Sequence, residues 1–466
     1  MAKDDSTINT DLLARLDRIP WNSWHSFVFA ILFAGVILEG FSISLGGATL
    51  GTIESEFNLT SFQAILLTPL YLVGALIGAF TMGSLSDYIG RKRVFIITVI
   101  IVIVGSLIVA LSFNYGSLVF GRIITAIGAE GEVAVANTAL SEFVQPSRRG
   151  LVVSSGNATA FDIGTFAASL VGFFAIILLP ADIGWRVAFA SAIILGVIVF
   201  VARIKLPESI RYLIKNGRQK EAETIVTSIE AAYTKKTGKT LPPVSSEQLE
   251  FSKQTVAERY AYVFKKYPKS ILLAVILNIT EVWPYYAAFS VIPVILIKFF
   301  HFTSASSSYS LIFITLAGVA GIITMSFALD RIGRRKTITA SYGIAALLFL
   351  IIGIISDHVS ILVFIILLVV LYFWVYAAAG VLYPQLAEMF PTEVRNTAIG
   401  IAIGIGRIGG IIGIILLAVI LSHGVIVVFG ITAVVMAVGA IAELLIGPET
   451  GLKSLEITSR EEVKSR

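Results

Sequence analysis

Gly83-Ser84-Leu85-Ser86-Asp87-Tyr88-Ile89-Gly90-Arg91-Lys92-Arg93 is echoed by Ser326-Phe327-Ala328-Leu329-Asp330-Arg331-Ile332-Gly333-Arg334-Arg335-Lys336. Asp87 and Asp330, Gly90 and Gly333, and Arg91 and Arg334 occupy the same places in the two copies, and each copy runs directly into a long apolar stretch (94–111 and 337–355). Asp, Gly and clustered cations suit a tight turn between two membrane-spanning helices. Glycine supplies the backbone freedom, and the cations hold the loop on the cytoplasmic side. A loop of this kind repeated half a chain later means a duplicated membrane protein.

Composition agrees. A chain of 466 residues that is 56% hydrophobic and only 14% charged lies outside the range of soluble proteins. One crossing of the ~30 Å hydrocarbon layer takes about 20 apolar residues. Apolar runs fall at about 24–50, 60–84, 92–113, 117–141, 150–179 and 185–205, then at about 270–299, 306–329, 336–356, 359–388, 395–421 and 425–446. The fold predicted is an all-α membrane protein of twelve transmembrane helices in two pseudo-symmetric six-helix halves. Residues 1–205 form the first half, 206–269 a linker with amphipathic helices at 221–232 and 248–260, 270–447 the second half, and 448–466 a tail.

The small net charge of +5 sits in short loops between apolar runs, which excludes a nucleic-acid partner. There is no cysteine, and the four scattered histidines suggest no metal site; no cofactor is expected. The polar, acidic start shows no cleavage pattern and is not read as a signal peptide. Residues 6–18 read as a short amphipathic helix, followed by an aromatic anchor of Trp21 and Trp24. Arg91 to Arg93, Arg148, Arg149, Arg331 to Lys336 and Arg395 all fall on the side of the linker. The positive-inside rule therefore places both termini in the cytoplasm of a multi-pass plasma-membrane protein, expected as a monomer.

Gly-x-Leu-x-Asp-x-x-Gly-Arg-Lys-Arg resembles the loop between helices 2 and 3 of the major facilitator superfamily, although Ser326 and Ala328 depart from that pattern in the second copy. Leu206-Pro207-Glu208-Ser209-Ile210-Arg211-Tyr212-Leu213 resembles the segment after helix 6 in sugar porters, with Ile210 in place of a proline. Glu142 to Arg149 and Glu388 to Arg395 share one Glu-to-Arg spacing, and Pro448-Glu449-Thr450 resembles the exit from helix 12. The resemblance implies two parallel repeats that alternate access to a central site. It also implies latches in which Asp87, with Asp330 its counterpart, sits at a helix N-terminus of the opposite half, and Arg91, Arg149, Arg334 and Arg395 pair with Glu142 and Glu388 in one state only. The alternative is that these charges merely fix topology. The linker is equally open between a gating role and a solvated connection.

Ionisable residues at mid-span depth are functional candidates by default: Glu39, Arg122, Glu130, Glu132, Asp162, Glu281 and Arg407. Leu38-Glu39-Gly40-Phe41-Ser42 and the span-4 run from Gly121-Arg122 to Glu132 resemble the corresponding segments of aromatic-acid, nicotinate and phosphate symporters. Glu39 reaching Arg122 would make a proton-coupling pair, protonation releasing the arginine, or else a permanent structural pair. Asp162 is the next proton-carrying candidate. Arg407, in a glycine-rich span similar to span 11 of aromatic-acid and organic-ion transporters, offers a planar fork to a carboxylate. Otherwise it pairs with Asp162 or Glu281. The surrounding glycines leave room for a ligand or for a close helix contact.

Asn278, Glu281, Trp283, Tyr285 and Tyr286 on span 7, with Tyr376 on span 10 and Phe41 on span 1, either wall a pocket for a flat ligand or simply pack. Pro284 should break its helix and free backbone groups. The Gln-Gln-x-x-Gly of sugar porters has no counterpart here. The expectation is a proton-coupled symporter of an organic anion, with the bilayer, a small molecule and protons as partners and no enzymatic activity. A proton-coupled sugar transporter is the alternative, and a non-transporting receptor is the reading from another class.

Overall fold

The structure, a computed structural model, describes residues 7–143, 146–244, 247–250, 256–390 and 394–449. It is helical throughout apart from one two-stranded ribbon. The first half holds α1 (Ser23–Ala48), α2 (Ser61–Ile89), α3 (Arg91–Ala110), α4 (Tyr115–Phe143), α5 (Pro146–Leu178) and α6 (Ala181–Ile204). The second holds α7 (Pro268–Ala287), α8 (Ser304–Ile332), α9 (Arg334–Ile355), α10 (Ile361–Met389), α11 (Arg395–Ile420) and α12 (Val425–Ile446). Among the described residues, eleven helical stretches are long and apolar enough to cross a membrane. Helix α4 matches them in length but carries Arg122, Glu130 and Glu132, all buried.

Each half begins with a broken helix. Helix α1 stops at Ala48 and resumes as Leu50–Glu56; α7 stops at Ala287 and resumes as Val291–Lys298. Pro284 lies inside α7, and the break comes about a turn later, where Ala288, Phe289 and Ser290 donate to the carbonyls of Tyr285, Tyr286 and Ala287. Such i to i+3 bonds tighten the chain before a new helix starts. The two breaks meet on the face opposite the linker: a Cβ on Gly47 would lie 2.6 Å from the Phe289 carbonyl oxygen. Only glycine permits that backbone approach. Gly47→Val should therefore part the halves there at an overpacking cost of about 1–3 kcal/mol. A single cysteine placed at Thr52, in a chain that otherwise has none, should label faster in the valine variant; equal labelling would mean that this contact does not hold the face closed.

On the linker face the two copies of the quoted loop are built alike. Gly90 and Gly333 each adopt φ +96°, a conformation other residues rarely hold. The Arg91 and Lys92 N–H groups donate to Glu208 Oε1 at 2.9 and 3.3 Å. The Arg334 N–H donates to Glu449 Oε1 at 2.9 Å. A carboxylate thus caps the N-terminus of α3 and of α9, where the helix dipole favours an anion. In both halves that carboxylate comes from the Pro-Glu dipeptide leaving the last helix.

The N-terminal segment differs from the single helix expected. Thr7–Thr10 pairs antiparallel with Glu247–Glu250, and the helix is only Leu12–Asp17. The ribbon occupies the start of the amphipathic stretch expected at 248–260; the helix there is Val256–Lys266. A strand at 247–250 satisfies its backbone through residues far away in sequence, a partner that periodicity cannot reveal. Leu12 and Leu16 pack with Leu213, Ile214, Val226 and Ile229 of the linker helices. Arg15 and Arg18 both reach Glu230, at 2.6 and 2.5 Å. Burial pushes the Glu230 carboxyl up, but the hydrogen bonds from Arg15 and Arg18 outweigh it and leave the group below its usual value. A depressed carboxyl stabilises docking above its unfolded pKa of about 4.3, and that contribution is lost as pH falls through the lower folded value. Hydrogen exchange of residues 12–17 should therefore stay slow at neutral pH and rise below about pH 4; protection that persists in acid would mean that apolar packing alone holds the segment.

Candidate functional site

Arg407 is the thirteenth residue of α11 and Glu130 the sixteenth of α4, so both lie near the middle of their helices. The Arg407 guanidinium donates from Nη2 to both Glu130 oxygens, at 3.2 and 3.0 Å. Its Nη1 donates to the Tyr286 hydroxyl, and its Cζ lies 5.1 Å from the centre of the Tyr286 ring. The Glu130 carboxyl also shares a hydrogen bond with Glu39 on α1. Two carboxyls and one guanidinium therefore sit together where α1 and α4 of the first half face α7 and α11 of the second. Taking charges out of water is costly, so this cluster persists only because its members satisfy one another.

A short step along α7, the Tyr285 hydroxyl donates to Asp162 Oδ1 on α5. The Tyr285 ring stacks on Tyr376 of α10, with centres 4.4 Å apart, and meets Tyr286 edge-on at 5.2 Å. Asp162, Tyr285, Tyr286 and Arg407 thus form a continuous row from an acid, over two aromatic rings, to a cation. Beside it, Asp162 Oδ2, Asn278 Oδ1, Glu281 Oε2 and Trp283 Nε1 are buried without a hydrogen-bond partner. Each such atom costs about 1–3 kcal/mol unless something pairs with it. Aromatic faces beside a few convergent polar groups are chemistry that a small-molecule site uses.

The expected Glu39–Arg122 pair is not formed. Arg122 donates instead to the carbonyls of Ser42 and Ile43, at 2.6 and 3.1 Å, and stacks on Tyr71 at 4.4 Å. Arg122 thereby ties α4 to α1 through backbone oxygens, a tie that carries no titratable partner. Arg407 pairs with neither Asp162 nor Glu281, the two acids the sequence offered it; its partner is Glu130. Four glycines of α11 serve helix contact: Gly406 faces Asn278, Gly409 faces Ile279, Gly410 faces Val282 and Gly413 faces Trp283. Phe41 is buried in the same core as Tyr285 and Tyr376.

Of the ion pairs expected at the charged loops, Arg334 with Glu388 is formed. Arg334 forms a bidentate pair with Glu388, at 3.0 and 2.9 Å, but this joins α9 to α10 within one half. Arg91 donates to the Ser209 hydroxyl at 3.1 Å, again within its own half and linker. Arg395 donates to the Phe390 carbonyl at 3.3 Å. The side chains of Asp87, Glu142, Arg149 and Asp330 lie outside the described residues.

Two buried pairs escaped the sequence reading. Arg203 near the end of α6 is wholly buried against Glu132, with Phe95 under its guanidinium at 4.1 Å. On α10 and α12, Gln385 donates to both oxygens of Glu443, at 2.9 and 3.1 Å. Arg203 lies two residues before Lys205 at a span end, where a cation ordinarily reaches the headgroups, so only its unusual place opposite an acid could have marked it.

The model of the sugar (and other) transporter family matches residues 27–461. The niacin transporter NiaP of Acinetobacter baylyi is 29% identical over 453 residues, 96% of this chain and 99% of that protein. The glucose transporter GlcP of Staphylococcus epidermidis is 28% identical over 442 residues, 92% of this chain and 95% of that protein. Among solved structures, the xylose transporter XylE from E. coli, in a partially occluded inward-open conformation, aligns with a TM-score of 0.75 at 18% identity. That alignment spans 93% of this chain and all of XylE, and the likeness is one of fold.

Proposed function

The chain belongs to the sugar (and other) transporter family of the major facilitator superfamily, and from that premise we propose that this multi-pass secondary transporter carries an aromatic monocarboxylate of the nicotinate kind together with a proton. The observation that supports this reading is the guanidinium of Arg407, held at mid-helix between the halves with a tyrosine ring beneath it. A fixed planar fork matches a carboxylate, and the adjoining Tyr286, Tyr285 and Tyr376 offer ring faces to a flat body. The niacin transporter among the relatives is in keeping with this.

Glu39 and Glu130, hydrogen-bonded to each other beside the cation, are the groups assigned to the proton, with Asp162 as a second position. The linker face is taken as cytoplasmic, and Arg334, Glu388, Arg91 and Arg395 as braces within the moving halves. Sugar transport draws support from the glucose transporter among the relatives. It leaves the buried guanidinium without a task.

The deciding experiment is counterflow of labelled nicotinate, benzoate and glucose in proteoliposomes holding the purified chain. Nicotinate should exchange and glucose should not. Exchange of glucose alone would replace the carboxylate reading with the sugar one.

A further inference from the structure

Glu130 is a mid-span acid to which the sequence assigns no partner, yet it makes the only pairing between Arg407 and an acid among the described residues. We propose that Glu130 is an internal substitute for the cargo's carboxylate, holding the Arg407 seat while the site is empty and releasing it when a proton and the anion arrive. This rests on the reading of Arg407 as the anion-binding group.

The geometry carries the argument. The contact is bifurcated, with both carboxylate oxygens within 3.2 Å of one guanidinium nitrogen. That is the contact a cargo carboxylate would make, so the two compete for one seat. A second buried anion beside Glu130 would face repulsion in a site sheltered from water. The titratable and charged groups within electrostatic reach of Glu130 are Glu39 from α1, Tyr71 from α2, Tyr286 from α7, Tyr383 from α10 and Arg407 from α11, with Glu132 on α4 engaged by Arg203. Arg407 is the sole cation of that set, and Glu39 is the neighbour with which Glu130 shares a hydrogen bond.

The exchange balances. An O–H bond forms on Glu130, its ion pair with Arg407 opens, and the incoming carboxylate forms a new ion pair with the same guanidinium. The site gains one proton and one monoanion, so its net charge is unchanged and transport of the pair is electroneutral. The step also removes a bond between the halves. Glu130 belongs to α4 and Arg407 to α11, so loading frees the second half from this tie to the first and allows the two to rearrange around the cargo.

The test measures nicotinate binding to the purified full-length chain over about pH 6 to 8, where nicotinate's own charge is constant, together with protons taken up per nicotinate bound. Wild type should weaken toward high pH and take up one proton. Glu130→Gln keeps the shape but not the charge. If Glu130 occupies the seat about nine-tenths of the time, its removal should tighten binding about 10-fold at the alkaline end, flatten the pH profile and abolish proton uptake. Glu130→Asp, with the carboxyl drawn back one methylene, should bind more tightly than wild type yet keep the proton; it serves as the test if the glutamine variant does not fold. A glutamine variant with wild-type slope and proton uptake would overturn the proposal while leaving the carboxylate reading intact. A wild-type chain that binds neither nicotinate nor benzoate would overturn both.

Discussion

Arg407→Lys should weaken nicotinate binding about 10- to 100-fold, the cost of losing one well-placed hydrogen bond to a charged group, even though the positive charge remains. The reason is shape. Arginine fixes its donors in a plane, so one nitrogen can serve both carboxylate oxygens while another holds Tyr286, as the Glu130 contact already displays. Lysine ends in a single compact ammonium on a flexible stem and cannot reproduce both contacts. Arg407→Ala should go further, since truncating one member of a buried charge pair costs about 2–5 kcal/mol and leaves Glu130 with no cation. Thermal-shift and equilibrium binding assays with nicotinate would measure both effects. The contrary result is specific: a neutral sugar bound tightly by wild type, and still bound by Arg407→Ala, would remove the anion from the account.

The second large effect concerns energy coupling. A transporter that moves one proton with each cargo molecule can concentrate it about tenfold per unit of pH gradient, since tenfold corresponds to about 1.4 kcal/mol. Glu39→Gln should abolish that accumulation. Glutamine fills the same space beside Glu130 but cannot bind and release a proton, so the carboxyl pair loses half of its capacity to share one. Cargo-for-cargo exchange should persist in the variant, because it requires no net proton movement. Uphill uptake into proteoliposomes under an imposed pH gradient separates the two behaviours. Should the variant still concentrate nicotinate as well as wild type, Glu39 is not required for coupling and the proton rests on Glu130 alone.

Much of the fold could be read directly because each crossing is written as one long apolar run, and because the duplicated Asp-Gly-Arg loop set the two halves in register. The residues of the central site were also visible, since any charge at mid-span depth is conspicuous. Their partners were not. The resemblance pairs Glu39 on span 1 with Arg122 on span 4, but which way each side chain faces depends on the rotation of its helix about its own axis. That rotation sends Arg122 to the carbonyls of Ser42 and Ile43. Arg407 finds its acid 277 residues away in the other half, a contact that no local pattern encodes. The strand at 247–250 was missed for a related reason: its partner strand lies at the opposite end of the first half.

The two Pro-Glu caps have a consequence for how the chain can be divided. Each six-helix half is sewn shut by its own exit segment, Glu208 returning to the start of α3 and Glu449 to the start of α9. Neither half borrows this stitch from the other. A gene cut in the segment between Thr237 and Val256 would therefore yield two polypeptides, each carrying its own closing residue. Co-expressed, they should assemble in the bilayer as a split carrier whose seam includes the helix contacts, the Arg407–Glu130 pair and the hydrogen bonds of Tyr285 to Asp162 and of Ser308 to the Ala48 carbonyl.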